Sequence, residues 1–133
     1  MREIKFCGKR IDNGEWVYGF LLGVDCNSVI AQNQFEWVDN LGLRGGDWFH
    51  VIPATVGRYT GLKDKNKREI YEGDIAKWNR VICEIIYNSQ EGAFQGRYKC
   101  GGGYRFITLM NSEQGFEVIG NIHDNPDLLE VNK

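Results

Sequence analysis

The sequence predicts a mainly β fold of antiparallel strands, with an SH3-like barrel element, an N-terminal β-hairpin and a short C-terminal helix. Its 17 Gly, 4 Trp, 6 Tyr and 7 Phe, against 2 Pro, favour strands and tight turns over helices. Segment 56–78 adds a local signal, because strand-like stretches flank a polar tip and are followed by a Glu72-Gly73-Asp74 step. Small SH3-like barrels often use such a step, in which the Gly takes a positive φ and the Asp closes the turn.

The length of the chain predicts one domain, 1–133, large enough to bury a single core. Within it we expect an N-terminal β-hairpin region at 1–52. The SH3-like barrel core and the C-terminal helix should occupy 53–133, with the barrel itself around 53–122.

The N-terminal hairpin is predicted from an Asn13-Gly14 dipeptide between two alternating stretches. Asn-Gly favours a two-residue type I′ turn, because both central positions need a positive φ. The first strand should therefore fold back onto 15–24. One face of that second strand is aromatic, and the other is partly glycine, which suits close approach of another backbone. The aromatic face carries Trp16, Tyr18 and Phe20.

The stretch between the hairpin and Pro53 is less regular. Residues 28–32 have the pattern of a short strand, and residues 35–38 fit either a strand or one helical turn. The Gly-rich stretch 41–47 is predicted as a loop. Residues 48–52 should be extended and end at Pro53.

Two strands, 74–78 and 80–87, are predicted after the central segment, joined by a tight turn near Asn79. The second strand has apolar residues on both faces and should be central in its sheet or lie at an interface. The polar, Gly-rich residues 88–103 are interpreted as a long loop or a loose hairpin.

The last part of the chain should form a final hairpin of 104–110 with 116–122. A helix should follow, because Asn125-Pro126 and the acid after them have the form of a cap, a first helical position and an acidic first turn.

The net charge of −2 provides no overall basic field for nucleic acid or an anionic membrane. Residues 1–10 are too charged for a signal peptide, and the apolar run 16–24 is broken by two glycines. That run is well short of the roughly 20 residues that a membrane helix needs. We expect a cytoplasmic protein without a membrane partner.

No motif predicts catalysis, a metal or a cofactor. The four cysteines have no C-x-x-C spacing and are expected to be free thiols; they are Cys7, Cys26, Cys83 and Cys100. The glycines at 101–103 lack the Lys-Ser/Thr of a phosphate loop. One alternative places Mg²⁺ for phosphodiester cleavage at Glu72, Asp74 and Glu84, near Lys77. The turn already explains the first two acids.

A basic tip within 58–68 is the candidate nucleic-acid site. Its cations are Arg58, Lys63, Lys65, Lys67 and Arg68. They could contact phosphates while Tyr59 and Tyr71 stack on bases. The competing interpretation is a solvated hairpin tip, where such residues are common.

Three blocks of sequence carry a resemblance to a known family. The opening IKFCGKRIDNGEWVYG, the central TVGRYTGLKDKNKREIYEGDIAKW and the closing FEVIGNIHDNPDLL are similar to the YopX family of phage and prophage proteins, in the family's order. Cys7 stands where the family usually has Arg, and Ala54 where it commonly has an acid. Lys67 replaces a frequent Gly, which predicts a tip loop that is longer than a two-residue type I′ turn or differently shaped.

The resemblance implies a mostly β protein with an SH3-like barrel element, encoded on a mobile element and acting inside a bacterial cell. It also implies a homo-oligomer, and it supplies no catalytic residues. The positions that the family motifs mark here are turn and cap residues. They are Gly14, Gly61, Gly73, Asp74, Gly120, Asn125 and Pro126.

Together these observations predict a non-enzymatic interaction module with phage or host proteins as partners, directed at the host or part of phage DNA metabolism. Trp16, Tyr18 and Phe20 are the candidate self-association residues, by face packing or strand-edge pairing. Burial of these rings in the core of the monomer is the alternative for that face. Nucleic-acid binding through the basic tip is the alternative function, and metal-dependent phosphodiester cleavage is a third.

Overall fold

The computed structural model describes residues 5–22, 28–32, 36–38, 42–44 and 47–132, with side chains for all of these except 36–38, 42–44, 47, 131 and 132. Cys26 and Phe35 lie outside the described residues. Within the described part of the chain, no helix is long and apolar enough to cross a membrane.

The predicted mainly β, antiparallel fold is confirmed, because the described residues form thirteen strands in three sheets. The strands are β1 Phe6–Lys9, β2 Trp16–Leu21, β3 Val29–Gln32, β4 Glu36–Val38, β5 Gly42–Arg44, β6 Asp47–His50, β7 Gly57–Lys63, β8 Glu69–Tyr71, β9 Asp74–Trp78, β10 Val81–Asn88, β11 Ala93–Cys100, β12 Gly103–Thr108 and β13 Phe116–Asn121. A four-residue helix, α1 Ser112–Gly115, and two 3-10 helices, Pro53–Thr55 and Pro126–Asn132, complete the described elements.

The two larger sheets are open. Their strand orders are β6-β3-β2-β1-β7-β8 and β12-β11-β10-β9-β13, and β4 pairs with β5 in a separate ribbon. No sheet among the described strands closes on itself, so the predicted SH3-like barrel is not confirmed. Contacts between residues divide the chain into two compact units, 1–58 and 59–133.

The first unit is organised on the predicted hairpin, in which Phe6 lies opposite Gly19 and Lys9 opposite Trp16. The chain reverses over four residues, 11–14, so the predicted two-residue type I′ turn is wrong. Gly14 has φ +73°, but Asn13 keeps a negative φ and accepts a hydrogen bond from the Glu15 N–H at 3.0 Å. The longer loop is closed by the Arg10 N–H donating to the Glu15 carbonyl at 2.8 Å.

The glycine face of β2 allows the close approach expected from the sequence. A Cβ on Gly19 would lie 2.1 Å from the Ala31 carbonyl oxygen in the neighbouring strand β3. The same side of the sheet forms the core of this unit, where Val17, Ile30 and Val51 are buried. Any larger residue at position 19 would separate β2 from β3.

The described residues between 28 and 55 form the elements predicted from the sequence, except at one point. The strand predicted at 28–32 is confirmed as β3. Of the two structures predicted for 35–38, a strand or one helical turn, the described residues form the strand β4. The loop predicted at 41–47 is wrong in part, because β5 pairs there with β4 and sets Leu43 opposite Trp37. Pro53 begins a 3-10 helix, as expected for a residue that ends an extended segment.

The second unit contains the five-stranded sheet, with β10 at its centre as predicted. The β9–β10 turn at Asn79 is also confirmed, with Asn79 at φ +54°. Eight buried residues form the core of this unit: Ile70, Ala76, Cys83, Ile85, Phe94, Leu109, Phe116 and Val118. The predicted C-terminal helix is confirmed as the 3-10 helix, which contacts β10 and β11.

Residues 88–103, predicted as a long loop or a loose hairpin, instead contain the regular eight-residue strand β11. Phe94 and Gly96 face the core, and a Cβ on Gly96 would lie 2.6 Å from the Cys83 sulfur. The predicted final hairpin is therefore also wrong. Strand β12 pairs with β11 at one edge of the sheet, whereas β13 pairs with β9 at the other.

The hairpin of β7 and β8 ends in a three-residue loop organised by the Asp64 carboxylate. Asp64 is 1% exposed. Its Oδ1 accepts hydrogen bonds from the Asn66 and Arg68 N–H groups, both at 2.9 Å. Lys67 takes φ +65°, and the Asp64 N–H donates to the Arg68 carbonyl at 2.8 Å. The loop is thus longer than a two-residue turn, as Lys67 in place of Gly predicts.

The same carboxylate joins this loop to β13. Oδ2 of Asp64 accepts a hydrogen bond from the Val118 N–H at 2.9 Å, across a separation of 54 residues. Two further bonds lie alongside it. The Lys65 N–H donates to the Phe116 carbonyl at 2.9 Å, and the Ser112 hydroxyl donates to the Lys63 carbonyl at 2.7 Å.

The turn between β8 and β9 has its own buried acid. Gly73 has φ +95°, and Oδ2 of Asp74 accepts a hydrogen bond from the Tyr71 N–H at 2.8 Å. Burial raises the pKa of Asp74 to about 7, with a smaller rise from the Asp64 charge. The Tyr71 N–H and the Arg68 charge act in the opposite direction.

Replacing Asp64 with Ala should lower the free energy of unfolding by roughly 3–5 kcal/mol, because three N–H groups lose their charged acceptor. Urea unfolding followed by circular dichroism measures the difference. The matched control is Glu91→Ala, at an exposed position, which should change the free energy of unfolding by less than about 0.5 kcal/mol. A loss at Asp64 no larger than that of the control would contradict the assignment.

Asp74 should make the folded state less stable as pH rises from about 4 to about 7. The unfolded carboxyl ionises near 3.8, whereas the folded one ionises near 7, so between these values the folded state binds the extra proton. The resulting slope is up to about 1.4 kcal/mol per pH unit. The Asp74→Asn variant should lose this slope in urea unfolding across that pH window. An unchanged slope in the variant would contradict it.

Candidate interaction surface

Several exposed apolar side chains lie on one face of the sheet in the first unit. Along β2 and just beyond it, Tyr18, Phe20 and Leu22 are 42%, 53% and 37% exposed, while the alternating Val17 is buried. Trp48 on β6 is 50% exposed. We define these four residues, Tyr18, Phe20, Leu22 and Trp48, as the aromatic face.

The register of the strands brings two of these rings into one row. Phe20 lies opposite Ala31 on β3, and Ala31 lies opposite Trp48 on β6. Residues directly opposite each other in antiparallel strands project to the same face. Phe20 and Trp48 therefore flank the small, buried Ala31 on one side of the sheet.

Of the predicted self-association residues, Tyr18 and Phe20 are exposed and Trp16 is half-buried. Trp48 was not singled out from the sequence, because it follows a Gly-rich stretch and its strand is short. The alternation of Trp48, Phe49 and His50 was the available signal. The Trp48 ring also meets the His50 ring edge-on, with centroids 5.7 Å apart.

The basic tip presents cations but no stacking surface. Its four cations in the second unit, Lys63, Lys65, Lys67 and Arg68, are exposed. Tyr59 and Tyr71 are 5% and 3% exposed, with ring centroids 5.3 Å apart, so the expected stacking of bases on these rings is wrong. Arg58 is exposed and belongs to the first unit.

The loop that carries these cations is fixed by backbone bonds. The charge on Lys65 is partly balanced, because its Nζ lies 3.8 Å from Glu117 Oε1. What remains is a small cluster of solvated cations, suited to contacts with phosphates and not with bases.

The three acids considered for Mg²⁺ have separate environments. Glu84 Oε1 lies 3.1 Å from Arg97 Nη2, whereas Asp74 accepts from the Tyr71 N–H in the turn. No three His, Cys, Asp or Glu side chains of the described residues form a group that could hold a metal ion. Glu72, Asp74 and Glu84 therefore do not converge on one site.

The described cysteines are free thiols in different settings. Cys7 and Cys83 are buried, and Cys100 is exposed. Burial raises the pKa of Cys83 to about 12, and its thiol donates a hydrogen bond to the Ala76 carbonyl at 3.4 Å. Cys83 is thus a neutral, packed side chain, as its alternation with apolar residues indicates.

The glycines marked by the family motifs lie where the backbone needs them. Gly61 has φ +86°, in addition to the positive values at positions 14 and 73. Position 120 needs glycine because there is no room for a side chain. A Cβ there would lie 2.5 Å from Asn125 Oδ1. That oxygen accepts a hydrogen bond from the Asn121 N–H at 3.3 Å, and Pro126 begins the C-terminal 3-10 helix.

Comparison with known proteins gives a family and a structural neighbour. The crystal structure of protein EF1440 from Enterococcus faecalis is 25% identical in sequence, with a TM-score of 0.55, and the match covers 97% of this chain and 99% of that one. No curated protein matches. The model of the YopX protein family matches residues 5–130. Since that match spans nearly the whole chain, the protein belongs to the YopX family.

Proposed function

We propose that the protein is a non-enzymatic interaction module that associates with a second copy of itself through the aromatic face. The observation that carries this proposal is the exposure of Phe20 and Trp48, at 53% and 50%, in one cross-strand row. Large rings at this exposure lose favourable burial in the monomer, which a partner surface would restore.

The size of the aromatic face supports a protein partner. Four side chains that are each about half exposed present on the order of 400 Å² of apolar surface. Contiguous apolar patches of this size on soluble proteins commonly mark interaction sites. A standard interface buries about 800 Å² per partner, so the aromatic face would form its centre.

A second copy fits the chemistry of this face better than a charged ligand does. The four residues of the aromatic face are themselves uncharged. Two copies of a chain with net charge −2 repel each other little. A two-fold axis would set identical aromatic rows against one another, which is the usual geometry of homodimers.

The wider setting is part of the proposal and is supported by the resemblance to phage and prophage proteins. A phage or prophage protein inside a bacterial cell would use such a module to build an assembly, with phage or host proteins as further partners. In this proposal the cytoplasm is the place of action and no catalytic residue is assigned.

The test is the mass of the protein in solution. The wild-type protein should be a dimer or larger oligomer by sedimentation velocity across a concentration series. The double variant Phe20→Asp, Trp48→Asp should be monomeric, because burying two unpaired carboxylates in the interface is unfavourable. Unchanged circular dichroism would show that the variant still folds.

The control is Met110→Asp, which places the same charge at an apolar position that is 75% exposed in the second unit. It should keep the mass of the wild-type oligomer. A monomeric wild-type protein would contradict the proposal. So would a Phe20, Trp48 double variant that retains the oligomer.

A further inference from the structure

The hairpin of β11 and β12 carries a net positive charge. Its strands, AFQGRYKC and GYRFIT, contain Arg97, Lys99 and Arg105 and no acid. The whole chain has a net charge of −2, so the charge of this hairpin is opposite in sign to that of the chain. It also holds two of the most exposed aromatic residues, Tyr104 at 53% and Phe106 at 48%.

The register places these rings and cations on one face. Lys99 lies opposite Tyr104, and Arg97 lies opposite Phe106. Opposed residues share a face, as do residues two apart on a strand, so all four side chains project to the same side. We define Arg97, Lys99, Tyr104 and Phe106 as the platform.

Contacts on the sheet hold part of the platform in position. The Arg97 guanidinium carbon lies 4.7 Å from the centre of the Tyr104 ring. Arg97 Nη2 lies 3.1 Å from Glu84 Oε1 on β10, which faces Arg97 across the strands. The Tyr104 ring is thus held in position by the Arg97 guanidinium, while about half of its surface remains accessible to solvent.

A groove adjoins the platform. It has a volume of about 340 Å³, within the usual range for ligand sites. Ile82 on β10 and Leu129 on the C-terminal 3-10 helix contribute apolar lining, and Lys99 and Tyr104 of the platform also line it. Glu84 and Glu130 also line it, but the charge of Glu84 is paired with Arg97.

We propose that the platform binds single-stranded nucleic acid, with Tyr104 and Phe106 each stacking on a base. Lys99 would contact a phosphate, and Arg97 would hold the Tyr104 ring. Aromatic rings on the face of a sheet, flanked by cations, provide both interactions that unpaired strands require.

The specificity for single strands follows from the same geometry. Bases inside a duplex are already stacked on their neighbours and cannot reach rings on a sheet face. The basic tip lacks accessible rings, because Tyr59 and Tyr71 are buried. The tip could add phosphate contacts, but the platform is where bases would be recognised.

The test measures fluorescence anisotropy of labelled oligo-dT and oligo-rU, about 12 nucleotides long, with a duplex of the same length for comparison. Wild-type protein should bind the single strands more tightly than the duplex. Tyr104→Ala and Phe106→Ala should each weaken binding about tenfold or more, because each ring loses one base stack. Tyr104→Trp should retain binding.

One platform variant, Lys99→Ala, and two controls separate stacking from charge. Met110→Ala removes an exposed apolar side chain outside the platform and should leave binding unchanged. Lys99→Ala should lower the slope of log affinity against log salt by about 0.7, as expected for one phosphate contact with a single strand. Arg80→Ala, at an exposed cation in the β9–β10 turn, should leave the slope unchanged.

Four results would overturn the proposal. The first is absence of binding by the wild-type protein at low salt, and the second is equal affinity for duplex and single strand. The third is loss of binding in Lys65→Glu, Lys67→Glu while Tyr104→Ala, Phe106→Ala still binds, which would assign the site to the tip. The fourth is a change of oligomeric mass in Tyr104→Ala, Phe106→Ala without a change in binding, which would make the platform a protein interface.

Discussion

The second unit depends on one buried charge. The Asp64 carboxylate is removed from water and accepts hydrogen bonds from three backbone N–H groups, two in its own loop and one on β13. A buried carboxylate is tolerated only when such donors compensate for its lost hydration. A neutral apolar residue here would leave those donors unpaired, so Asp64 fixes both the shape of the loop and its attachment to β13. The exposed lysines of the tip consequently project from an ordered loop.

The strands give each unit a surface with its own chemistry. In 1–58, alternation along β2 places Val17 in the core and Phe20 outside, which yields an uncharged aromatic face. In 59–133, the same alternation along β11 places Phe94 inside and Arg97 outside, which yields a platform of rings and cations. An uncharged aromatic surface suits a protein partner, whereas rings beside cations suit nucleic acid.

The parts of the fold that could be predicted from the sequence rest on local chemistry. The strand pattern around Asn13-Gly14 gave the first hairpin, the Gly73-Asp74 step gave a turn with a positive φ, and Lys67 in place of Gly gave a longer tip loop. Of the aromatic face, Tyr18 and Phe20 were predicted because alternation along one strand is visible in sequence. Trp48 was not, because its position beside them depends on the pairing of β3 with β6.

The parts that were missed depend on distant contacts. Gly96 interrupts the apolar pattern of β11. A side chain is not tolerated there, because the Cys83 sulfur on the neighbouring strand occupies the space. Without β11, β12 was assigned to the wrong partner, and the platform could not be seen. Barrel closure is likewise a property of how sheet edges meet, which a Gly-Asp turn does not determine. The role of Asp64 could not be predicted, because acidic residues are common in solvated hairpin tips. Nothing in the sequence indicates that this one is buried.

Amide hydrogen exchange measured by NMR tests the central role of Asp64 most directly. The amides of Asn66, Arg68 and Val118 donate to the same carboxylate and should be protected together, with opening free energies close to those of the amides in β10. In Asp64→Asn all three should lose protection while β10 keeps most of its own. Exchange of the Asn66 and Arg68 amides at the rate of an unstructured peptide in the wild-type protein would contradict the account.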